Sequence, residues 1–201
     1  MAIVSEILSF LIRSVGGIYL WAILLRFLLQ LARADFYNPI SQVLVRVTNP
    51  LVKPLRRIVP GFFGVDMASL VLAILVKLLM ILALFVLQRG TTDFDVLLAV
   101  PYALLGVAIA ILNIYFLTMI ATIILSWVAA GSYNPAVVLI QQIAEPIMAP
   151  FRRVLPPMGG MDLSPILAFL AINVVKILLS GLALKLGLMP HSFLGMLIVN
   201  I

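Results

Sequence analysis

The stretch "EPIMAPFRRVLPPMGGMD", Glu145 to Asp162, is a rigid, basic, proline-rich segment between long apolar runs. It has a twin in "NPLVKPLRRIVPGFFGVD", Asn49 to Asp66. A shift of 96 positions lays Tyr37-Asn38-Pro39 on Tyr133-Asn134-Pro135, Pro50 on Pro146 and Pro54 on Pro150. The same shift lays Arg56-Arg57 on Arg152-Arg153, Pro60 on Pro156, Gly64 on Gly160 and Asp66 on Asp162. Before the Tyr-Asn-Pro the offset becomes 100, because "LARAD" has a shorter counterpart. A repeat of this length decides the architecture before any single element is assigned.

What surrounds the repeated segments is hydrocarbon. The 201 residues are 65% hydrophobic and 10% charged, where a soluble domain carries roughly 25% charged residues. So few charges cannot cover a soluble surface, and the solvent read from composition is a bilayer. The net charge of +6 does not indicate nucleic acid, because the basic residues stand at the ends of apolar runs, as membrane topology demands. With no cysteine, disulfides, thiolate metal sites and cysteine nucleophiles are excluded. The single histidine, His191, lies in a short tail and reads as a solvated side chain, since a metal needs several convergent ligands.

Four runs reach the roughly 20 apolar residues that a spanning helix needs. They are about Ile7 to Leu31, about Met67 to Leu87, a stretch within Val96 to Ala130, and about Leu163 to Leu186. The N-terminus, "MAIVSEILSFLIRS", lacks a basic n-region and a small-residue cleavage site, so the first run is expected to stay as a span. The third run is too long for one simple span, yet its centre, "GVAIAILNIYF", has no turn signal. Pro101 suggests a short interfacial piece over Asp95 to Val100 and a tilted helix from about Tyr102.

Lys and Arg near span ends set orientation. The first connection holds Arg33, Arg46, Lys53, Arg56 and Arg57, and the third holds Arg152 and Arg153. The middle one sets Arg89 against Asp93 and Asp95. The proline-arginine segments are therefore expected to face the cytoplasm, with both termini opposite. The fold expected is an all-α membrane protein of four transmembrane helices in two parallel repeats, residues 1–92 and 93–201. Each repeat holds a span, a cytoplasmic segment with a short interfacial or re-entrant helix, and a span. A pseudo-twofold axis along the membrane normal would relate them.

Within each segment Asn38-Pro39 and Asn134-Pro135 read as helix caps with proline in the first turn. The helix that follows Asn38 is amphipathic. Val43, Val47 and Leu51 share a face with Leu44, away from Gln42, Arg46 and Asn49. The prolines at 50 and 54, and at 146 and 150, are expected to end these helices and stiffen the chain. That frame holds Arg56-Arg57 and Arg152-Arg153 ready for the phosphates of anionic lipid or for a protein partner. Asp66 and Asp162 start the second span of each half. They serve as caps for its N-terminus or as partners for an arginine.

Inside the spans, Lys77 lies eleven residues past Asp66, three turns on, so both project from one face. Asn173 holds the same place after Asp162, with Lys176 three further on, and Asn113 adds a polar group to the third span. Intramembrane polar residues are functional candidates by default. These either line a cavity or act as glue between helices, and glue is favoured because no acid stands at mid-depth. Arg26 and Arg13 read as snorkelling side chains. No Ser-His-acid set, paired histidines or phosphate loop is present, so no enzyme, cofactor or metal is expected.

The doubled Asn-Pro…Pro-x-x-x-Pro-x-Arg-Arg-x-x-Pro…Gly-x-Asp frame resembles the YggT family of integral membrane proteins, which includes the YlmG proteins of bacteria and chloroplasts. "DFYNPISQVLVRVTNPLVKPLRRIVP" and "GGMDLSP" are especially close to its pattern. The first half departs from it, with "GVDMAS" where the second has "GMDLSP". The resemblance implies a multi-pass protein of the bacterial inner membrane with an organising or homeostatic role. Such roles include cell division, assembly of membrane complexes and osmotic stress. It nominates no catalytic residue. A scaffold or assembly factor is expected first, contacting anionic lipid or a membrane or cell-division protein. A small channel or transport-related protein is the alternative, and self-association is left open.

Overall fold

The computed structural model describes residues 2–61, 64–89, 96–129, 131–154, 162 and 164–185. Among them the chain is helical. In order these helices are α1 (Ala2–Leu31), α2 (Pro39–Arg56), α3 (Met67–Arg89), α4 (Val96–Val128), α5 (Pro135–Val154) and α6 (Ser164–Lys185). Four of them, α1, α3, α4 and α6, are long and apolar enough to cross a membrane. At about 1.5 Å per residue, 21 residues of α3 reach about 32 Å, the thickness of a hydrocarbon core. This is the architecture of a multi-pass membrane protein.

Each long helix is apolar all round but packs on one side only. In α1 the inner stripe of Leu20, Ile23, Leu24, Phe27 and Leu28 is buried, while Ile7, Phe10, Val15 and Ile18 are exposed. Such outward faces would aggregate in water and are at home against acyl chains. The spans are not equally enclosed. The apolar window of α3 is 39% buried and that of α6 17%, so α3 is central and α6 peripheral.

Small residues line the face of α4 that meets α3. The inward face of α4 carries Ala99, Ala103, Gly106 and Ala110 at spacings of four and three, all buried. A face of small residues is a device by which helices associate in lipid, and here it makes room for the Lys77 side chain of α3 over Gly106. On the other side of α3, a Cβ added to Gly16 of α1 would stand 2.9 Å from the Met80 sulfur.

Contacts within the halves match: α1 packs on α3 and α2, and α4 packs on α6 and α5. Between the halves they do not. The α3–α4 packing has no α6–α1 counterpart among the described residues. The expected twofold relation is thus not carried through all the contacts. The main packing of the spans runs α1, α3, α4, α6, with a slighter contact of α1 on α4. The physical reason lies in the side chains: the Ala/Gly face of α4 meets α3, while α6 turns Ile166, Leu170, Val174 and Ile177 outward.

Two expectations about proline need correction. Pro50 and Pro54 lie inside α2, and Pro146 and Pro150 inside α5. They do not end these helices. Each removes one hydrogen bond, to the carbonyl of Arg46, Pro50, Gln142 or Pro146 respectively. All four prolines are exposed, so the ring crowding and the freed carbonyls fall on the outer side. The inner faces stay packed through Ser41, Thr48 and Val52 in α2 and through Ile143, Ala144 and Met148 in α5. Pro101 likewise lies inside α4, and Val96 to Val100 form its first turns rather than a separate piece. A proline there forfeits only the bond to Leu97, which the rest of a long helix easily outweighs. Asp95, Pro156, Gly160 and His191 lie outside the described residues.

The turns that close the first spans share one device. Arg33 has φ +51, and Ala34 N donates to Leu29 O, closing α1 with a left-handed residue. In the second half Gly131, with φ +75, follows α4. Gly64, with φ +80, makes the entry to α3, a conformation that side chains resist.

Candidate functional site

The first Arg-Asp pair is the centre of a buried polar cluster. Asp66, 3% exposed, stands just before α3. Arg56, in the last turn of α2, grips it with two bonds, Nη2 to Oδ2 at 2.5 Å and Nε to Oδ1 at 3.2 Å. Ser69 Oγ donates to Oδ2 at 2.6 Å, and Ser69 N approaches Oδ1 at 3.4 Å. One carboxylate thus serves as helix cap and as ion-pair partner, the two roles its position suggested. A second guanidinium stands close. Arg26 of α1, 4% exposed, sets Nε 3.7 Å from Asp66 Oδ2. Its Nη1 donates to Thr48 Oγ1 at 2.7 Å and Asn49 Oδ1 at 3.0 Å, both on α2. Arg26 therefore does not snorkel. It is turned inward, and it ties α1 to α2 and to the start of α3. Burial by itself pushes the Asp66 carboxyl up. The bonds from Arg56 and Ser69 and the Arg56 charge outweigh that and hold it below the ordinary carboxylate value.

The second pair is built on the same frame but is open. Arg152 Nε donates to Asp162 Oδ2 at 2.9 Å, and Arg152 Nη1 to Glu145 Oε2 at 2.5 Å. Asp162 Oδ1 accepts from Ser164 N and Oγ, capping α6. Burial tends to lower Arg152 and raise Asp162. The ion pair and hydrogen bonds win at both, leaving Arg152 raised and Asp162 lowered. Each aspartate is paired within its own repeat. The partner of each is the first arginine of its pair; among the described residues the second, Arg57 or Arg153, is exposed and pairs with no carboxylate.

The two Asn-Pro motifs meet. Asn38 Oδ1 accepts from Ile40 N at 2.9 Å, capping α2, and Asn134 Oδ1 accepts from Ala136 N at 2.9 Å, capping α5. Asn38 is also buried, and its Nδ2 donates to Pro135 O at 2.7 Å, joining the start of α2 to the start of α5. Asp35 N donates to Gln142 Oε1 across the same seam. Asn38→Ala is expected to cost about 1–2 kcal/mol, because cap and cross-link are lost together, and Asn134→Ala about half that. Thermal unfolding of the two purified variants measures the difference.

The α2 surface has three strips. Ser41, Thr48 and Val52 face inward. Ile40, Val43, Val47 and Leu51 form an exposed apolar stripe, and the exposed Arg46, Lys53 and Arg57 stand along its flank. Leu44 departs from the expected apolar face and packs inward with the core. Exposed aliphatics flanked by bases are what a helix lying in a membrane interface presents.

The intramembrane polar residues are dispersed. Lys77, 2% exposed, packs on α4 where a Cβ on Gly106 would come within 2.6 Å of its Cε. Asn173 Nδ2 donates to Phe169 O, one turn back in its own helix. Lys176 Nζ sits 4.6 Å from the centre of the Phe116 ring, a cation–π contact between α6 and α4. Asn113 is half-buried on α4. Gln30, Thr48, Asn49, Ser69, Glu145 and Ser164 also belong to the two clusters and were not among the sequence candidates. The repeat offset points to Glu145 through Asn49, but only the folded contacts single out the others.

A four-span helical membrane protein with two capped, arginine-clamped segments is the class defined by these features. A family model described as CCB3/YggT matches residues 5–87 and again residues 101–183, once over each half. The chain belongs to the CCB3/YggT family. It is 50% identical over 184 residues to the protein PA0392 of Pseudomonas aeruginosa, covering 91% of this chain and 93% of that one. To the protein YggT of Escherichia coli K12 it is 36% identical over 169 residues, covering 84% and 87%. To the chloroplastic YlmG homolog protein 2 of Arabidopsis thaliana it is 41% identical over 63 residues, covering 31% and 24%. No solved structure matches the chain.

Proposed function

We propose that the protein is a non-enzymatic organiser of the bacterial cytoplasmic membrane, a scaffold or assembly factor, with α2 and α5 at the cytoplasmic face. On this reading both termini lie on the other side, as the distribution of Lys and Arg favours. The observation that carries the reading is the division of labour within each arginine pair. Arg56 and Arg152 are committed to aspartates, while Arg57 and Arg153 are exposed at the ends of α2 and α5, and α2 bears an exposed apolar stripe. The inner arginine fixes the segment, and the outer one meets phosphate of anionic lipid, an acceptor that suits a guanidinium. The protein interior supports a scaffold over a conduit: Lys77 packs on α4, Asn173 bonds its own helix, and Lys176 lies over Phe116.

At about 1 kcal/mol per basic residue near an anionic surface, Arg57→Gln with Arg153→Gln removes about 2 kcal/mol, or about 30-fold in affinity for phosphatidylglycerol. Native mass spectrometry of protein released from mixed-lipid nanodiscs reads the lipid retained. Retention equal to wild type in the double variant, with thermal stability unchanged, refutes the lipid role. Solute flux through liposomes holding only the purified protein would refute the scaffold.

A further inference from the structure

The two arginine–aspartate clusters differ by a pair of replacements that act together. In the repeat register Arg26 falls on Ser126 and Asn49 on Glu145, while Arg56 and Asp66 fall on Arg152 and Asp162. Among the described residues the first cluster holds two guanidiniums and one carboxylate, and the second holds one guanidinium and two carboxylates. One formal charge is therefore in excess at the first and one cation is missing at the second. Space follows charge. Beside Ser126, Trp127, Glu145, Arg152 and Asp162 lies a cavity of about 900 Å³ between α4, α5 and the start of α6. In the first half the equivalent position sends the Arg26 guanidinium to Thr48, Asn49 and the edge of Asp66.

We propose that this cavity is a binding site for a guanidinium-type cation, supplied from outside the cluster and seated where Arg26 sits in the first half. The chain's own first repeat shows what the frame is shaped to hold. A bare metal ion would leave most of a cavity this large empty, whereas a planar cation reaches both carboxylates and can lie against an aromatic face. Glu145 and Asp162 each give one oxygen to Arg152 and line the cavity as well. Asp162 Oδ1 also takes Ser164 N and Oγ, so Arg152 and Ser164 together leave part of the acceptor capacity of the two carboxylates, about eight lone-pair positions, for a further donor. Trp127, 84% exposed, lines the cavity, and an indole is a ring on which a guanidinium stacks. The site is independent of the lipid contact proposed for Arg57 and Arg153.

Isothermal titration of full-length protein in nanodiscs with methylguanidinium chloride, against matched sodium chloride, tests the site. Saturable binding is expected in the wild type. Glu145→Asn should weaken it at least tenfold, and Ser126→Arg, which rebuilds the first-half occupant in place, should abolish it without lowering the melting temperature. A heat no larger than that of sodium, or binding unchanged in both variants, overturns the proposal. N-acetyl-arginine amide separates the two sources of the group. Binding at least tenfold tighter than methylguanidinium marks the arginine side chain of another polypeptide, and equal binding marks a free solute.

Discussion

Asp66→Asn is expected to lower the stability of the purified protein by about 3 kcal/mol or more, and Asp162→Asn by about 1 kcal/mol or less. The two residues occupy the same place in the two halves, yet their surroundings decide the outcome. Asp66 is enclosed and neutralises a bidentate Arg56, with the inward-turned Arg26 at 3.7 Å. Removing its charge leaves two guanidiniums facing each other, one of them almost fully buried. Asp162 and Glu145 are both partly open to solvent, and Arg152 keeps one carboxylate when the other is lost. Adding Arg26→Met to Asp66→Asn should recover part of the loss, because it withdraws one stranded charge; no recovery would mean that Arg26 and Asp66 do not interact. The pH dependence follows the same cluster. The folded pKa of Asp66 lies below its unfolded value, so its contribution is complete above about pH 4 and is lost as pH falls through the folded value. Wild type should lose stability over that acid range, and Asp66→Asn should lose less. Thermal unfolding in detergent across pH 2–7 reads both effects.

The spans were readable because a run of apolar residues of the right length has few alternatives, and the helix bounds fall within a few residues of those expected. The Asn-Pro caps and the Arg-Asp spacing of ten residues were readable because the repeat printed them twice. What was not readable depends on azimuth rather than position. Arg26, near the end of α1, looks from sequence like a side chain reaching for the membrane surface. Which way it turns is set by Thr48 and Asn49 on a helix that only tertiary packing brings alongside. The prolines misled for a related reason. Proline disfavours helix continuation on average, but its cost depends on which side of the helix carries the lost bond, and in α2 and α5 that side faces outward. The repeat also promised more symmetry than the fold keeps. Equal backbone frames do not force equal seams, since the small-residue face of α4 and the bulkier one of α6 seek different neighbours.

The seam between the halves yields the second large effect. Gly106→Val is expected to destabilise the protein by about 2 kcal/mol or more, through overpacking of α4 on α3. A Cβ at 106 would lie 2.6 Å from Lys77 Cε and 3.5 Å from Nζ, and valine adds two methyl groups beside that buried side chain. Gly106→Ala should cost less, since the gain of roughly 1 kcal/mol in helix propensity offsets part of the collision. The obstruction is a side chain and not backbone, so it can be removed. In a Lys77→Ala background Gly106→Val should lose most of its penalty, a coupling of about 1–2 kcal/mol that neither single change reveals. SDS-driven unfolding of the four proteins completes the cycle. Additive losses would show that Lys77 does not sit over Gly106. A strong coupling would mean that one long basic side chain, laid along a glycine, sets the spacing of α3 and α4 and with it the packing of one repeat on the other.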